Sequence, residues 1–248
     1  MSEKLLNTAE AAAYLRVSQA SVRRWSDSGL LRARRVGRRH ERRFTEADLK
    51  GFLAPDASAS APHSPAISGP VWIGSSQVPL HGHLATFYDS AEGRLRLSIP
   101  FFRDGLLLGQ PCFLAASHDV LAAYMTALRR VDGIDIDSAV RDGLFTIVDG
   151  PGSTVEGALH FWEQSLSKAV AGGPTLLRVI GEMAVERHLF PSDAEMMRYE
   201  VAYNLIARRF PVVTLCQYDV RAFDGEMVFQ ALRSHPDLYE MGIAAFLS

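Results

Sequence analysis

The sequence predicts an α/β protein in two parts: a small helical head with a hairpin, and a larger domain built on a parallel sheet. Three observations carry that reading. Charge is divided unevenly: residues 1–53 hold 12 Lys and Arg against 6 Asp and Glu, while the remainder holds 14 against 22, summing to the net −2 of the 248-residue chain. Between the two halves runs a stretch of Ala, Ser, Pro and Gly. Beyond it, short apolar runs of strand length alternate with longer stretches of helical period, the pattern of a sheet covered on both faces.

The head is read first. Thr8 is placed to cap a helix over TAEAAAYLRV, whose Ala11, Ala12 and Leu15 share a face. Ser18 caps a second helix, SQASVRRWSDS, and Gly29 ends it. Leu30 and Leu31 begin an extended segment, and RARRV and ERRF flank a hairpin turn at Gly37-Arg38-Arg39-His40. Thr45-Glu46-Ala47-Asp48 opens a third helix. Helix, turn, helix, wing and helix make a complete unit over residues 1–53.

Its chemistry is that of a nucleic-acid binder. Eight arginines lie between Arg24 and Arg43. Guanidinium groups are permanently charged planar forks that match phosphate and the edge of guanine. Ser18, Gln19, Ser21, Arg23 and Arg24 stand near the start of the second helix, where such helices meet base edges. The wing arginines Arg34, Arg35, Arg38, Arg39, Arg42 and Arg43 are expected to grip phosphate or enter a neighbouring minor groove. Double-stranded DNA is the expected partner. Trp25 is read as the aromatic plug of a small core.

Residues 54–79 are read as a flexible linker, interrupted by Val71, Trp72 and Ile73, because such a composition buries too little apolar surface to offset its ordering entropy. The body, 80–248, shows strands at 83–88, 111–117, 144–149, 175–183 and 212–219. Helices fall near 91–109, 118–130, 154–171, 192–209 and 224–234, with a weak sixth strand near Met241 to Phe246. Cys112 and Cys216 sit in apolar runs rather than a disulfide or zinc spacing, which favours a reducing, cytoplasmic setting. The N-terminus does not read as a signal peptide, and no apolar run reaches the length of a membrane span.

In an open parallel sheet, ligands bind beyond the carboxyl ends of the strands. That edge should carry Tyr88, Asp89, Glu182 and Tyr218, with His83 and Cys216 within strands of the same sheet. A histidine, a cysteine and Glu182 brought together would offer donors to a small polar ligand or even a metal, although no metal and no cofactor is expected. Glu182 ends the apolar run LLRVIGEM and needs a partner if buried; Arg178 is a candidate. His63, His188 and His235 read as surface or turn residues. Lys168, followed by Ala169, is the only lysine after Lys50, so no phosphate loop can be drawn, which argues against ATP hydrolysis.

Two resemblances extend this. Residues 5–53, through TAEAAAYLRVSQASVRRW, SGLLRARR and RRFTEADL, resemble the MerR-type winged helix-turn-helix in its short, excisionase-like form. The long coiled-coil helix of MerR proteins is missing, which leaves homo-oligomerisation without its usual element. Residues 81–239 resemble the MEDS sensory domain through HLATFYDSAEG, FFRDGLLLGQPCFLAAS, RVIGEMA, YEVAYNLI and VTLCQYDVRAFDGEMVFQALRSHP. That resemblance implies a RecA/KaiC-like sheet, in whose strand order His83 and Cys216 lie on neighbouring parts, that has lost its phosphate loop and senses a small organic effector, such as a simple hydrocarbon derivative. Tyr199 and Glu200 match the family's Tyr-Glu pair and could reach the strand edge. Together they imply a one-component transcriptional regulator that is not an enzyme. An enzyme addressed to DNA and a protein-docking module remain the alternatives.

Overall fold

A computed structural model describes residues 5–15, 19–27, 31–37, 40–53, 71–73, 76–171, 173 and 176–235. The chain divides into two compact units, residues 1–60 and 61–248, each described by itself.

The head runs β1 (Leu5–Leu6), α1 (Thr8–Leu15), α2 (Gln19–Asp27), β2 (Arg34–Val36), β3 (Glu41–Thr45) and α3 (Glu46–Leu53). Helix α1 starts one residue earlier than capping by Thr8 would require. The Asn7 side chain accepts from the N–H groups of Ala9 and Glu10, and Glu10 accepts in return from the Asn7 N–H. This reciprocal box satisfies donors that no helical carbonyl can reach. Thr45 and Asp48 form the same device at α3, as expected. The wing turns through Gly37 and His40, both at positive φ.

Leu5 and Leu6 add a strand that the sequence did not announce, pairing with Thr45 and Phe44 to give the order β1-β3-β2. Val22 and Trp25, three residues apart on α2, point inward with Ala11, Leu15, Leu31, Phe44 and Leu49, all buried. The Trp25 ring lies 5.1 Å from that of Phe52, so it is a core residue as expected. Ser18, Gly29, Leu30, Arg38 and Arg39 lie outside the described residues.

The body begins earlier than its first long strand. β4 (Val71–Ile73) and β5 (Ser76–Val78) pair as an antiparallel hairpin inside the stretch read as a linker, with Val71, Ile73 and Val78 buried. Residues 54–70 lie outside the described residues, as does 241–246. The main sheet is formed by β6 (His83–Tyr88), β7 (Cys112–Ala115), β8 (Phe145–Val148), β9 (Leu177–Glu182) and β10 (Val212–Asp219). Its order is β6-β10-β9-β7-β8, parallel throughout. Every residue of β6, β7, β9 and β10 is buried. That two-sided burial is why these strands read as continuous apolar runs rather than alternating ones.

The connecting helices are α4 (Ala91–Leu107), α5 (His118–Leu128), α6 (Ile136–Arg141), α7 (Val155–Ala171), α8 (Met183–Glu186), α9 (Asp193–Arg209) and α10 (Gly225–Ser234). Ser90, Asp135, Ser192 and Asp224 cap α4, α6, α9 and α10 by accepting from backbone N–H groups. Helices α6 and α8 were not foreseen, since six and four residues are too short to show a period.

Candidate functional site

In the head, Gln19, Arg23 and Asp27 succeed one another at four-residue intervals along one face of α2. Gln19 and Arg23 are exposed, and an Arg23 guanidinium nitrogen lies 3.4 Å from Gln19 Oε1. The wing places Arg35 directly across from Arg42, and Arg34 across from Arg43. Like charges opposed on a ladder repel. Asp27 offsets one such pair: its carboxylate accepts from Arg35 at 3.0 Å and from Arg42 at 2.6 Å, which holds its pKa below the usual range. Arg43 pairs with Glu41 at 2.7 Å. The start of α1, Gln19 and Arg23 of α2, and Arg35, Arg42 and Arg43 of the wing line one open groove. Asp27 was not singled out in the sequence, although an acid one turn after Arg23 amid so many arginines is a visible signal. Of the side chains of Ser21 and Arg24 nothing is described.

In the body, alternation along the strands divides the proposed ligand residues between the two faces of the sheet. The register sets Gln217 beside Glu182 and Cys216 beside Gly181, so Cys216 and Glu182 point to opposite sides. The expected convergence of a histidine, a cysteine and Glu182 therefore does not occur.

On one face, Glu182 ends β9 fully buried. It accepts from Tyr88 at 2.9 Å and from Tyr124 at 2.5 Å, and Arg94 approaches to 3.8 Å. The Tyr124 hydroxyl also contacts Gln217 Oε1, whose amide is oriented by its own donation to the Arg94 carbonyl. One phenolic proton thus stands between two acceptors. Burial raises the Glu182 pKa, against the pull of Tyr124, Arg94 and Tyr88. Arg178 is not its partner: it donates instead to Gln110 Oε1 and the Phe101 carbonyl. Asp89 lies exposed at the turn after β6.

On the other face stand His83, Cys216 and Tyr218, joined by Glu200 and His235. His83 Nε2 lies 3.1 Å from Cys216 Sγ and 3.8 Å from Glu200 Oε2. Tyr218 donates to Glu200 Oε2 at 2.9 Å. His235, read as a turn residue, is wholly buried, its ring 4.2 Å from that of His83. It follows α10 directly, where a turn is the natural expectation, and only the tertiary fold carries it inward. Burial and the neighbouring His235 push His83 down to about 3, so it is neutral. Burial alone would raise Glu200, but His235, His83 and Tyr218 hold it below the usual carboxylate range. Tyr199, the residue before Glu200 on α9, accepts from the Trp162 indole at 2.8 Å. Glu186 is buried over Gly181 with Oε2 lacking a hydrogen-bond partner, and burial beside Glu200 and Glu182 raises its pKa well above the ordinary value.

A helix-turn-helix head joined to a ligand-sensing α/β domain defines the class of one-component transcriptional regulators. The chain belongs to the MEDS family, the methanogen/methylotroph, DcmR sensory domain, whose model matches residues 82–236; a helix-turn-helix model matches residues 5–55. It is 36% identical over 246 residues, 96% of this chain and 92% of the relative, to the transcriptional repressor DcmR of Methylorubrum extorquens (strain DSM 6343 / CIP 106787 / DM4). Among solved structures, it is similar to protein PH0321 of Pyrococcus horikoshii, in complex with an unknown peptide, at a TM-score of 0.48 and 14% identity over 64% of this chain and 76% of that one. The flagellar accessory protein FlaH of Methanocaldococcus jannaschii gives 0.41 and 8%, over 64% and 70%.

Proposed function

We propose that this regulator binds double-stranded DNA through α2 and the wing, and that a small organic effector is sensed around Glu182. The role is regulatory rather than catalytic, as the family indicates. The observation that carries the sensing site is a buried carboxyl at the carboxyl end of β9, ringed by two tyrosine hydroxyls and a guanidinium. Open α/β sheets bind ligands at that edge. A buried polar set with a perturbed pKa and a shared proton is also one that a polar ligand can rearrange. Tyr88, Tyr124, Arg94 and Gln217 would take part with Glu182.

On the head, Gln19 and Arg23 would read bases while the wing arginines hold phosphate. Repression is the expected sign, supported by the name of the 36% identical relative. Two heads at paired half-sites of a homo-oligomer would raise effective concentration, and the effector would act by changing their arrangement. A cytoplasmic setting accords with the DNA partner; among the described residues no helix is long and apolar enough to cross a membrane.

Native mass spectrometry of protein purified from its own cells tests the sensing site. A retained small molecule that is lost in Glu182→Gln supports it. Retention unchanged in that variant, or none together with unaltered DNA affinity in the presence of cell extract, defeats it.

A further inference from the structure

The cluster on the second face has a donor arrangement that hydrogen bonding alone does not account for. The His235 Nδ1 atom lies 2.7 Å from the Ala231 carbonyl, which can only accept, so Nδ1 carries the proton. Whenever the ring is neutral, Nε2 then presents a lone pair, and that atom makes no hydrogen bond of good geometry although it is buried 3.0 Å from Glu200 Oε2. The oxygen lies off the direction that a ring N–H at Nε2 would take. His83 is set in the same way. Asn204 donates its amide to the carbonyls of Glu200, Val201 and Ser234, which leaves Oδ1 to accept from His83 Nδ1 at 3.3 Å. His83 Nε2 therefore faces Cys216 and Glu200 with its lone pair. Two imidazole lone pairs, a thiol and a carboxylate converge, with one donor atom from each residue lying within 4.8 Å of all the others, and all four residues are buried.

We propose that His83, Glu200, Cys216 and His235 form a closed binding site for one divalent transition-metal ion, zinc being the best match. Bond lengths of about 2.0–2.3 Å to nitrogen, oxygen and sulfur in a tetrahedron separate the ligands by roughly 3.3–3.7 Å. The spacings of 3.0, 3.1 and 3.8 Å bracket that range, so small side-chain movements complete the shell. Each imidazole has its outer nitrogen on a carbonyl oxygen, and Tyr218 steadies the carboxylate, the outer contacts that orient metal ligands. Thiolate with imidazole selects a borderline-soft ion over magnesium or calcium. On binding, the Cys216 thiol gives its proton to solvent and sulfur bonds the ion. One thiolate and one carboxylate then balance the charge of two, leaving the interior neutral. All four ligands come from protein, which makes the centre structural or sensory rather than catalytic. It would bind the end of α10 to β6, β10 and α9.

The test uses the full-length protein expressed in medium supplemented with zinc or with cobalt, then gel-filtered and measured for metal per chain. About one equivalent of either ion is expected for a single four-ligand site. The cobalt form is expected to show a thiolate-to-cobalt charge-transfer band and the strong visible absorption of a four-coordinate ion. Cys216→Ser should lose the band and His235→Gln should lose metal, while Cys112→Ser should keep both. If the first two variants fail to fold, wild type and Cys112→Ser still decide, because the chain has two cysteines. Wild-type protein holding under about a tenth of an equivalent, a cobalt form without the band, or a band that vanishes in Cys112→Ser would overturn the proposal.

Discussion

Asp27 makes a quantitative prediction about DNA binding. Its carboxylate engages Arg35 and Arg42, two of the wing cations proposed to hold phosphate. While so engaged they cannot release counterions on binding DNA. Asp27→Asn removes the charge, keeps the shape and frees both guanidinium groups. Each phosphate neutralised adds about 0.9 to the downward slope of log affinity against log salt, so two add about 1.8. Between roughly 50 and 200 mM salt that is an extra loss of affinity of about twelvefold, relative to wild type. Fluorescence anisotropy of a labelled duplex, titrated with full-length protein across that salt range, reads the slope directly. Asp137→Asn, which breaks the Arg129 pair in the body, is the control and should leave the slope unchanged. A slope in Asp27→Asn equal to or shallower than wild type would refute the reasoning. It would mean that Asp27 positions the wing for binding instead of competing for it.

Three further outcomes follow from the packing. Burial raises Glu182 in the folded state, so the folded form binds the proton more tightly than the unfolded one. Stability from this group is full below the unfolded carboxyl value and is lost as pH rises through the folded one. Thermal melts from about pH 4.5 upward should therefore show Glu182→Gln gaining on wild type as pH rises, and a constant difference would contradict the assignment. Trp25→Ala empties the centre of the head core and should cost about 3–5 kcal/mol, abolishing DNA binding. The body transition in calorimetry should stay in place, and a joint shift of both would count against separate units. At Gly105 an added Cβ would meet Arg178 Cδ at 2.5 Å and Cys112 Sγ at 2.9 Å. Gly105→Ala should lower body stability by about 1–3 kcal/mol in urea melts, and a neutral result would show unexpected slack beneath α4.

Much of the fold was legible because its signals are local. The five strands of the main sheet are apolar runs of the right length, and their ends fall within a few residues of the predicted ones. Asn7 and Thr8 are both capping residue types, so the sequence could not rank them until Glu10 was seen to reach back. Strand β1 has two residues and α8 four, which is too little for any period to register. The site was harder to read. The RecA-like order that the resemblance implies put His83 and Cys216 on neighbouring parts of the sheet, and Thr214 does lie beside His83. Joining Glu182 to them ignored the alternation that the register later made explicit. Glu200 was noted for its resemblance, whereas His235 and Tyr124 come from helices or helix ends whose rotation about their own axes is fixed only by packing.

The division of the polar interior by the sheet has a mechanical consequence. Strand β6 sends His83 to one side and Tyr88 to the other, and β10 does the same with Cys216 and Gln217. Because adjacent residues of a strand project oppositely from one rigid backbone, a pull on Cys216 is a push on Gln217. An occupant that displaced β10 on one side would displace the residues on its other side as well, without any channel through the sheet.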